Sequence, residues 1–544
     1  MTTKLIFTTA ALVLALATSP AITSYATSST NAQANQPQVA GDPTSGTTAR
    51  FPTNKQNEPS IAVDPTDSLK LIAGSNDEQR QPPCGPGPVR GSAAPNDCSF
   101  FPNVGSDGVY TSSDGGVTWT NRGLLPGFTD SNPSNALVSD GDPVIVFGPK
   151  PSGSEFSFDT GARAYYAGLA SFATGAAKGQ QVPELLTVST SDDDGATWSA
   201  PVIAARGNGF KFNDKEDIWA DRNPSSPFFG SVYISWTQFR GSIFTFFAEP
   251  VMVSFSRDGG RTWSRPNQLS IAQNFAFGGR QGSVVRTGPN GEVYVIWEDS
   301  DRGGAKQVIA RSVDGGVSWT HPMDISHFKD IADPIPGANF RTDSFASAAV
   351  DQSNGAIYVA WSAAISSSGA SSGRIVMSKS TNQGSTWSTA IPVSAAADGY
   401  AFFQGLDVAP TGRVDVGYQA LKATSTATYG AGNATIDAFF VSSPDGGATW
   451  SGSTKITSTS SDPAASAQNN LERQFWGDYN TLVSTTSAVY FIYTDARNGA
   501  ACAPVDAYQH GVDGSGAAAP KPAPQSVCPA QFGNTDIFVS KVSP

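Results

Sequence analysis

The 544-residue sequence is poor in histidine and in charge. It contains three histidines, His321, His327 and His510, and none of them lies in a recognisable motif. A histidine-dependent catalytic triad or a histidine-rich zinc site is therefore not indicated. Charged residues make up 15% of the chain and the formal net charge is −12, so a basic surface that binds nucleic acid is not expected. The sequence also lacks a phosphate-cradling glycine loop between a strand and a helix, which argues against a nucleotide site.

Long apolar runs are absent as well, except near the N-terminus. Lys4 precedes a short apolar run over residues 5–17, and small residues at positions 24 and 26 offer a cleavage site. The run is shorter than the about 20 residues that a membrane span needs, so we predict a signal peptide over residues 1–26 and a secreted protein rather than a membrane anchor. Residues 27–49 are rich in Ser, Thr, Asn, Gln and Ala and are expected to be a flexible leader. The remaining residues, 50–544, are predicted to form a single domain.

Cysteine is scarce, but the four cysteines fit an exported protein. Cys84 and Cys98 lie in one Gly/Pro-rich stretch, and Cys502 and Cys528 lie in another. Two local disulfides, Cys84–Cys98 and Cys502–Cys528, are the simplest pairing in an oxidising compartment. Metal binding is the alternative, but no CxxC motif or neighbouring histidine supports it.

Glycine (55) and proline (37) are plentiful, which suits many short strands joined by turns. Within this background, the pattern Ser-x-Asp-x-Gly-x-Thr-Trp recurs six times, with Asn382 in place of Asp in the fifth copy and Ser318 in place of Thr in the fourth. The copies span residues 112–119, 191–198, 256–263, 312–319, 380–387 and 443–450. Self-similarity at intervals of roughly 55–80 residues indicates an array of supersecondary units.

The chemistry of this pattern is that of a turn. Asp accepts hydrogen bonds from turn amides, Gly supplies a positive φ, and Trp buries a large surface between neighbouring units. We therefore predict a structural and not a catalytic role for the motif.

A hairpin pattern precedes each of the six motifs, so the number of hairpins gives the number of repeated units. A seventh hairpin, over residues 477–483 and 488–493, has no such motif after it, and residues 536–542 supply its third strand. We predict an all-β fold, a seven-bladed β-propeller in which a strand from the leader region completes the last blade and removes exposed edges. A six-bladed propeller is the alternative, because six motifs are present.

The six motifs are Asp-boxes, and on this basis the chain resembles the sialidase-like (BNR-repeat) superfamily over residues 50–544. The resemblance implies a secreted glycoside hydrolase of exo-α-sialidase type that acts on extracellular glycoconjugates. Asp-boxes also occur in other hydrolases and in binding proteins, and fold does not fix function. A non-catalytic propeller that binds a glycan or a protein is therefore the alternative.

The resemblance also suggests roles for individual residues. Sialidases begin their first blade with Phe-Arg-Ile-Pro, whereas this chain has Gln56-Asn57-Glu58-Pro59-Ser60, so Asn57 stands where the family has an arginine. By position, Asp77 corresponds to the acid/base, Tyr479 to the nucleophile and Glu298 to the glutamate that activates it. The arginines that would clamp a carboxylate are Arg341 and Arg473, with Arg280 as a substitute for the missing one.

Propeller geometry gives an independent prediction of the site. The inner strands start, and the second strands end, on one face of the ring, while the Asp-boxes lie on the other. The predicted substrate-binding residues of that face are Glu58, Asp214, Glu216, Arg280, Arg341, Arg473 and Asp478, and Phe340, Phe402 and Trp476 are expected to line it. We predict a glycan as the ligand, a monomer, and no cofactor, with calcium as an open alternative because the Asp-rich loops offer oxygen ligands.

Overall fold

The computed structural model describes residues 28–35, 50–84, 98, 104–128, 137–153, 155–172, 184–208, 210–242, 245–274, 278–301, 304–367 and 370–544. The predicted signal peptide and most of the predicted leader lie outside these residues. Strands dominate the described part of the chain, where the α-helices are α1 (Ala503–Asp513) and α2 (Pro524–Val527). Short 3-10 turns occur at Ala396–Asp398 and Pro463–Ala465. No helix of the described part is long and apolar enough to cross a membrane.

The strands form seven antiparallel sheets, which we call blades 1 to 7. Strand β1 (Ser28–Gln33) comes first in the chain and belongs to blade 7. Blade 1 contains β2 (Gln56–Asp64), β3 (Asp67–Asp77), β4 (Asp107–Ser112) and β5 (Thr120–Leu124). Blade 2 contains β6 (Leu137–Ser152), β7 (Glu155–Phe172), β8 (Leu185–Ser191) and β9 (Val202–Ala205). Blade 3 contains β10 (Lys211–Ala220), β11 (Val232–Ser242), β12 (Thr245–Ala248), β13 (Val251–Ser256) and β14 (Asn267–Gln268).

The remaining blades repeat this plan. Blade 4 contains β15 (Arg280–Thr287), β16 (Val293–Asp301), β17 (Gly304–Ser312) and β18 (Met323–Phe328). Blade 5 contains β19 (Ser347–Val350), β20 (Ile357–Ser367), β21 (Ala370–Ser380) and β22 (Ile391–Pro392). Blade 6 contains β23 (Tyr400–Val408), β24 (Val414–Ala423), β25 (Ala434–Ser443) and β26 (Thr454–Lys455). Blade 7 contains β27 (Thr481–Ser484), β28 (Val489–Asp495) and β29 (Asp536–Ser543), with β1 outermost.

The seven-bladed prediction is confirmed, and the six-bladed alternative is excluded. The leader strand has the predicted role, since β1 pairs antiparallel with β29 from Ser28 opposite Ser543 to Gln33 opposite Phe538. Asn31 strengthens this closure, because its side-chain amide donates to the carbonyl oxygen of Ile456 (2.6 Å) and to the hydroxyl of Ser540 (2.8 Å). The last sheet of the ring is thus assembled from both ends of the described chain.

The hydrophobic core lies between the blades. Both faces of a blade are covered by its neighbours, so the second strands read as nearly continuous apolar runs, as in residues 293–297 of β16, which are all buried. Between blades 2 and 3, for example, Val146, Tyr165 and Val188 pack with Ile218 and Ile234. This packing explains why hairpins of Val, Ile, Tyr and Trp recur along the sequence.

Each Asp-box forms the same hydrogen-bonded turn. In the first, one carboxylate oxygen of Asp114 accepts from the hydroxyl of Ser112 (2.9 Å) and the backbone N–H of Thr118 (3.0 Å), and the other accepts from the hydroxyl of Thr118 (2.6 Å). In the second, Gly195 has a φ of 82°, and a Cβ there would lie 3.1 Å from Cδ1 of Ile72 in blade 1. Trp198 packs in the same place, at the interface of blades 1 and 2. The boxes are therefore turns that fix one blade against the next.

Both predicted disulfides are present. Cys84 bonds to Cys98 and Cys502 bonds to Cys528, and the described part of the chain contains no free cysteine. The cysteines belong to one buried cluster that also contains Phe51 and Phe532. The two disulfides are thereby packed together beside blades 1 and 7, on the face opposite the Asp-boxes.

Candidate functional site

An axial channel runs through the ring and is lined by the seven inner strands. Residues of β2, β6, β10, β15, β23 and β27, together with residues 343–347 at the start of β19, surround a cavity of about 130 Å³. A cavity of this volume holds on the order of ten water molecules, so polar side chains can face it without a loss of hydration. At the Asp-box end, the Trp219 ring lies between the guanidinium groups of Arg222 and Arg286, each 4.4 Å from its centre.

The opposite end of the channel, which we call the mouth, is shaped by β-bulges. The register of the inner strands shifts between Asn57 and Ser60, between Gly141 and Val144, and between Asp214 and Asp217. At these bulges Glu58, Asp142 and Lys215 adopt φ values of 54°, 58° and 53°. Non-glycine residues rarely adopt this conformation, and it concentrates at functional sites. The bulges bring carboxylates from different blades to one opening.

Arg341 organises the charges of the mouth. Its guanidinium makes a bidentate ion pair with Asp478, in which Nε lies 2.6 Å from Oδ1 and Nη2 contacts Oδ2. The same Nη2 lies 3.7 Å from Oε1 of Glu58. Arg341 is 46% exposed at its side chain whereas Glu58 is 4% exposed, so the guanidinium lies on the solvent side of the two carboxyl groups.

Glu58 is held in place by Asn76. The Asn76 amide donates to Oε2 of Glu58 at 2.6 Å, and its oxygen accepts from the backbone N–H of Asp142 at 2.7 Å. Burial, followed by the charges of Asp142 and Asp478, raises the pKa of Glu58 well above its usual range, and Arg341 partly opposes this shift. The surroundings of Glu58 therefore favour its protonated form, whereas the carboxylate of Asp478 beside it is ion-paired.

A second group of titratable residues lies across the mouth. The ammonium of Lys215 sits 3.5 Å from the centre of the Tyr479 ring. Burial and the neighbouring charges of Asp142 and Asp478 raise the pKa of Asp214 to about 8. Burial, followed by the charge of Asp142, raises the pKa of Glu216 well above its usual range, and its two carboxylate oxygens have no partner among the described residues.

The structure brings six of the predicted residues together at the mouth. Five of them line it, with Arg341 at the rim: Glu58, Asp214, Glu216, Asp478 and Tyr479. Burial and the charges of Asp142 and Glu58 raise the pKa of the Tyr479 hydroxyl well above its usual range. Its described surroundings therefore disfavour the phenolate that a nucleophile needs. Arg473 is nearby, because its Nη2 donates to Oδ1 of Asp333 (2.8 Å), which also accepts from the backbone N–H of Thr342 (3.2 Å).

Three predicted residues lie elsewhere. Asp77 is fully buried inside blade 1, where it accepts from the hydroxyl of Tyr110 (2.8 Å) and the amide of Gln56 (2.9 Å). The Arg280 side chain is also fully buried, with Nε 3.5 Å from Asp299. Glu298 lies in blade 4, where its closest charged neighbours are Asp343 and Asp330 rather than Tyr479. The predicted roles of these residues remain predictions.

The aromatic wall differs from the one expected. Phe340, Phe402 and Trp476 are fully buried and pack on one another, with the Phe340 ring 5.4 Å from Phe402 and 6.1 Å from Trp476. They belong to one buried cluster of the core and do not form a wall of the mouth. The half-buried rings at the mouth are Phe345 and Phe475, the latter 5.0 Å from the Arg341 guanidinium.

Two features of this face escaped the sequence analysis. Phe210, at the start of β10, is 75% exposed, and Phe247 in β12 is 47% exposed, which places apolar rings in solvent beside the mouth. The other is Asp330, whose carboxylate lies within 4.8 Å of those of Glu298 and Asp343 and forms with them a group that could hold a metal ion. Phe210 and Asp330 lie just outside the strands, where periodicity gives no signal.

The fold and this site define a seven-bladed β-propeller with an acidic channel mouth. No protein-family model matches the sequence, and no curated protein matches it either. Among solved structures, the chain is similar to an alpha-L-arabinofuranosidase of Fusarium graminearum in complex with arabinobiose, with a TM-score of 0.41, 11% identity, and coverage of 94% of this chain and 97% of that one.

Two further solved structures show comparable similarity. One is a Hadza microbial sialidase, with a TM-score of 0.39, 17% identity, and coverage of 71% of this chain and 65% of that one. The other is a polysaccharide lyase that acts as an ulvan lyase, with a TM-score of 0.38, 12% identity, and coverage of 61% of this chain and 74% of that one. These neighbours are glycan-active enzymes, and at such identities the likeness concerns the fold alone.

Proposed function

We propose that the protein is a secreted glycoside hydrolase that cleaves extracellular glycans at the channel mouth by carboxylate acid/base chemistry. Glu58 is the general acid, and Asp478 is the base or nucleophile. Arg341 lies between them and holds the negative charge of Asp478. The proposal keeps the glycan-active class that the sequence predicts and assigns the chemistry to the residues that share the mouth.

One observation carries the proposal: two carboxyl groups that contact the same guanidinium have opposite surroundings. Asp478 is bidentately ion-paired, whereas Glu58 is buried, and its burial and the carboxylates of Asp142 and of Asp478 itself raise its pKa. Environments that favour different protonation states in two neighbouring carboxyl groups are the signature of an acid and base pair. Hydrolysis of a glycosidic bond requires such a pair, with one proton donor and one carboxylate.

The charge of the mouth favours an uncharged sugar over a sialic acid. A sialate carboxylate would meet Glu58, Asp142, Asp214 and Asp478 in the same opening. The arginines that could balance it are already engaged: Arg341 with Asp478, Arg473 with Asp333, and Arg280 inside blade 4. We therefore propose a neutral glycan as the substrate, and the exposed rings of Phe210 and Phe247 as a surface on which further sugars stack.

The experiment is a hydrolysis screen of the purified protein on neutral oligosaccharides, neutral polysaccharides and sialosides. On the best substrate, Glu58→Gln and Asp478→Asn are each expected to lower kcat/KM by at least about 100-fold, as the loss of a general acid or base does. Asp324→Asn is the matched control. It removes a carboxylate of the outer strand β18 that is ion-paired with Lys306, 3.1 Å away, and kcat/KM should stay at the wild-type level.

Folded Glu58→Gln and Asp478→Asn proteins with wild-type turnover would refute the assignment of these residues. Turnover of sialosides alone would instead support the sialidase type that the Asp-box resemblance implies. Binding of a glycan without hydrolysis of any substrate would support the non-catalytic alternative, which rests on the absence of the first-blade arginine at Asn57.

A further inference from the structure

Three carboxylates meet at one point beside the mouth, in blade 4 and the segment that follows it. Glu298 lies near the end of β16, and Asp330 and Asp343 lie at the two ends of the segment that joins β18 to β19. One oxygen of each carboxylate lies within 4.8 Å of an oxygen of the other two. The three residues differ in exposure: Glu298 is buried, Asp343 is half-buried and Asp330 is exposed.

A second observation is that buried oxygens around this point have no hydrogen-bond partner. Glu298 is 6% exposed and turned into the group, and its Oε2 is buried without a partner among the described residues. Gln307 stands directly opposite Glu298 in the β16–β17 ladder and is fully buried. Its amide donates to the backbone carbonyl of Ser344 (2.8 Å), next to Asp343, while its Oε1 is left without a partner.

Among the described residues, no side chain compensates the charge of this group. In the described part of the chain, none of the three carboxylates is ion-paired with a lysine, an arginine or a histidine. Like charges that are held this close need either shared protons or a cation.

We propose that the carboxylates of Glu298, Asp330 and Asp343, together with the side-chain oxygen Oε1 of Gln307, form a binding site for a calcium ion. Calcium takes six to eight oxygen ligands at about 2.3–2.6 Å, so oxygens on opposite sides of the ion are about 4.8 Å apart, and all three carboxylates can contact one ion. Carboxylate and amide oxygens are hard ligands, which suit calcium better than zinc or copper.

The cation would join the base of the 329–346 segment to β16. This segment carries Arg341, which reaches across to Asp478 and Glu58. Binding of the ion therefore fixes both ends of the segment and limits the positions that the Arg341 guanidinium can adopt. The site itself does not depend on the proposed hydrolase activity, because it rests on Glu298 of blade 4 and on Asp330 and Asp343 of the segment that follows this blade.

The test uses the full secreted chain after removal of metal by a chelator and dialysis. Calorimetric titration with calcium chloride is expected to show one site, and added calcium should raise the midpoint of thermal unfolding by at least about 2 °C. Asp330→Asn is the principal variant, since Asp330 is exposed and its loss leaves the core intact. It should weaken the calcium affinity by at least about tenfold, as the loss of a charged ligand does. Asp343→Asn should do the same.

Asp324→Asn is the matched control, because Asp324 is an acidic residue of the adjacent strand β18 that lies outside the group. Its calcium affinity should equal that of the wild type. Wild-type protein that binds no calcium at millimolar concentration, or calcium binding that Asp330→Asn and Asp343→Asn leave unchanged, would overturn the proposal. Stabilisation by magnesium but not by calcium would overturn the assignment to the larger ion.

Discussion

Arg341 is the residue on which the electrostatics of the mouth depends. Its guanidinium neutralises Asp478 and partly opposes the rise in the pKa of Glu58 that burial and Asp142 cause. An arginine is suited to this position, because its planar fork binds one carboxylate bidentately and still presents a nitrogen to a second. A lysine could hold the charge but not both contacts.

At the residue scale we predict that Arg341→Met shifts the pH dependence of the proposed hydrolase activity. Without the cation, the pKa of Glu58 rises further, so the general acid keeps its proton to higher pH. The alkaline limb of the kcat/KM profile should therefore move to higher pH, while kcat/KM itself falls. The measurement is a pH profile of kcat/KM on the substrate that the screen identifies.

Arg122→Met serves as the control for this profile. Arg122 lies on the outermost strand of blade 1, where Nε donates to the hydroxyl of Thr111 at 2.9 Å, and its removal should leave the alkaline limb in place. An Arg341→Met limb that coincides with that of the wild type would show that Glu58 is not the proton donor.

The sequence predicted which strand ends meet but not which side chains point into the channel. Asn76 and Asp77 are neighbours in β3, and successive side chains of a strand face opposite sides. Asp77 turns into the blade toward Tyr110, while Asn76 turns to Glu58. The bulge between Asn57 and Ser60 sets this orientation. The alternation of apolar and polar residues along a strand does not show where a bulge occurs, so the sequence could not predict it.

At the scale of elements, the Asp-box is the part of the structure that the sequence determines most completely. The hydrogen bonds of its Asp and Ser side chains join residues within one eight-residue turn, as those of Asp114 and Ser112 show. The fifth box shows that the charge is dispensable: Oδ1 of Asn382 accepts from the backbone N–H of Thr386 (2.9 Å), and its amide donates to the Thr386 hydroxyl (2.8 Å). The turn needs an oxygen acceptor at this position, and an ionised one strengthens it.

We predict that the acidic boxes make the fold sensitive to acid. Hydrogen bonds from Ser318 lower the pKa of Asp314 from its usual 3.8 to about 2, so the unfolded chain binds more protons than the folded one in this range. The stabilisation is complete above the usual value and is lost as the pH falls toward about 2. Asp314→Asn should lose less stability on acidification than the wild type.

The reverse change in the fifth box gives the matched comparison. Asn382→Asp creates an ionisable box, and its unfolding midpoint should fall more steeply with acid than that of the wild type. Thermal unfolding at a series of pH values measures both variants. Parallel curves for wild type, Asp314→Asn and Asn382→Asp would contradict the prediction.

At the scale of the whole molecule, the number of blades could be counted from the sequence, but their closure could only be inferred. Seven hairpins gave the count, since each is a local pattern. The pairing of β1 with β29 is not local, because Asn31 and Ser540, which bond across it, are 509 positions apart. The periodicity of the sequence carries no information on such a pairing. The closure of the ring by β1 was inferred from the need to cover the exposed edge of the last blade.

We predict that removal of residues 28–33 destabilises the ring. β29 would then present an uncovered edge, with unpaired backbone groups and a chain segment that can pair with another molecule. The shortened protein should unfold at a lower temperature and form aggregates, as thermal unfolding and light scattering would show. Thr30→Ala, which changes an exposed side chain and keeps the backbone pairing, should behave like the wild type. An unchanged unfolding temperature after the deletion would show that the strand is not needed for closure.

The arrangement of blade 7 has a consequence for biosynthesis. Among the described strands, β1 is made before all the others and its partner β29 is made after them. Blades 1 to 6 can assemble during translation, but the circle stays open until β29 has been made. A chain that stops before Asp536 therefore leaves β1 without its partner and exposes an unpaired strand edge.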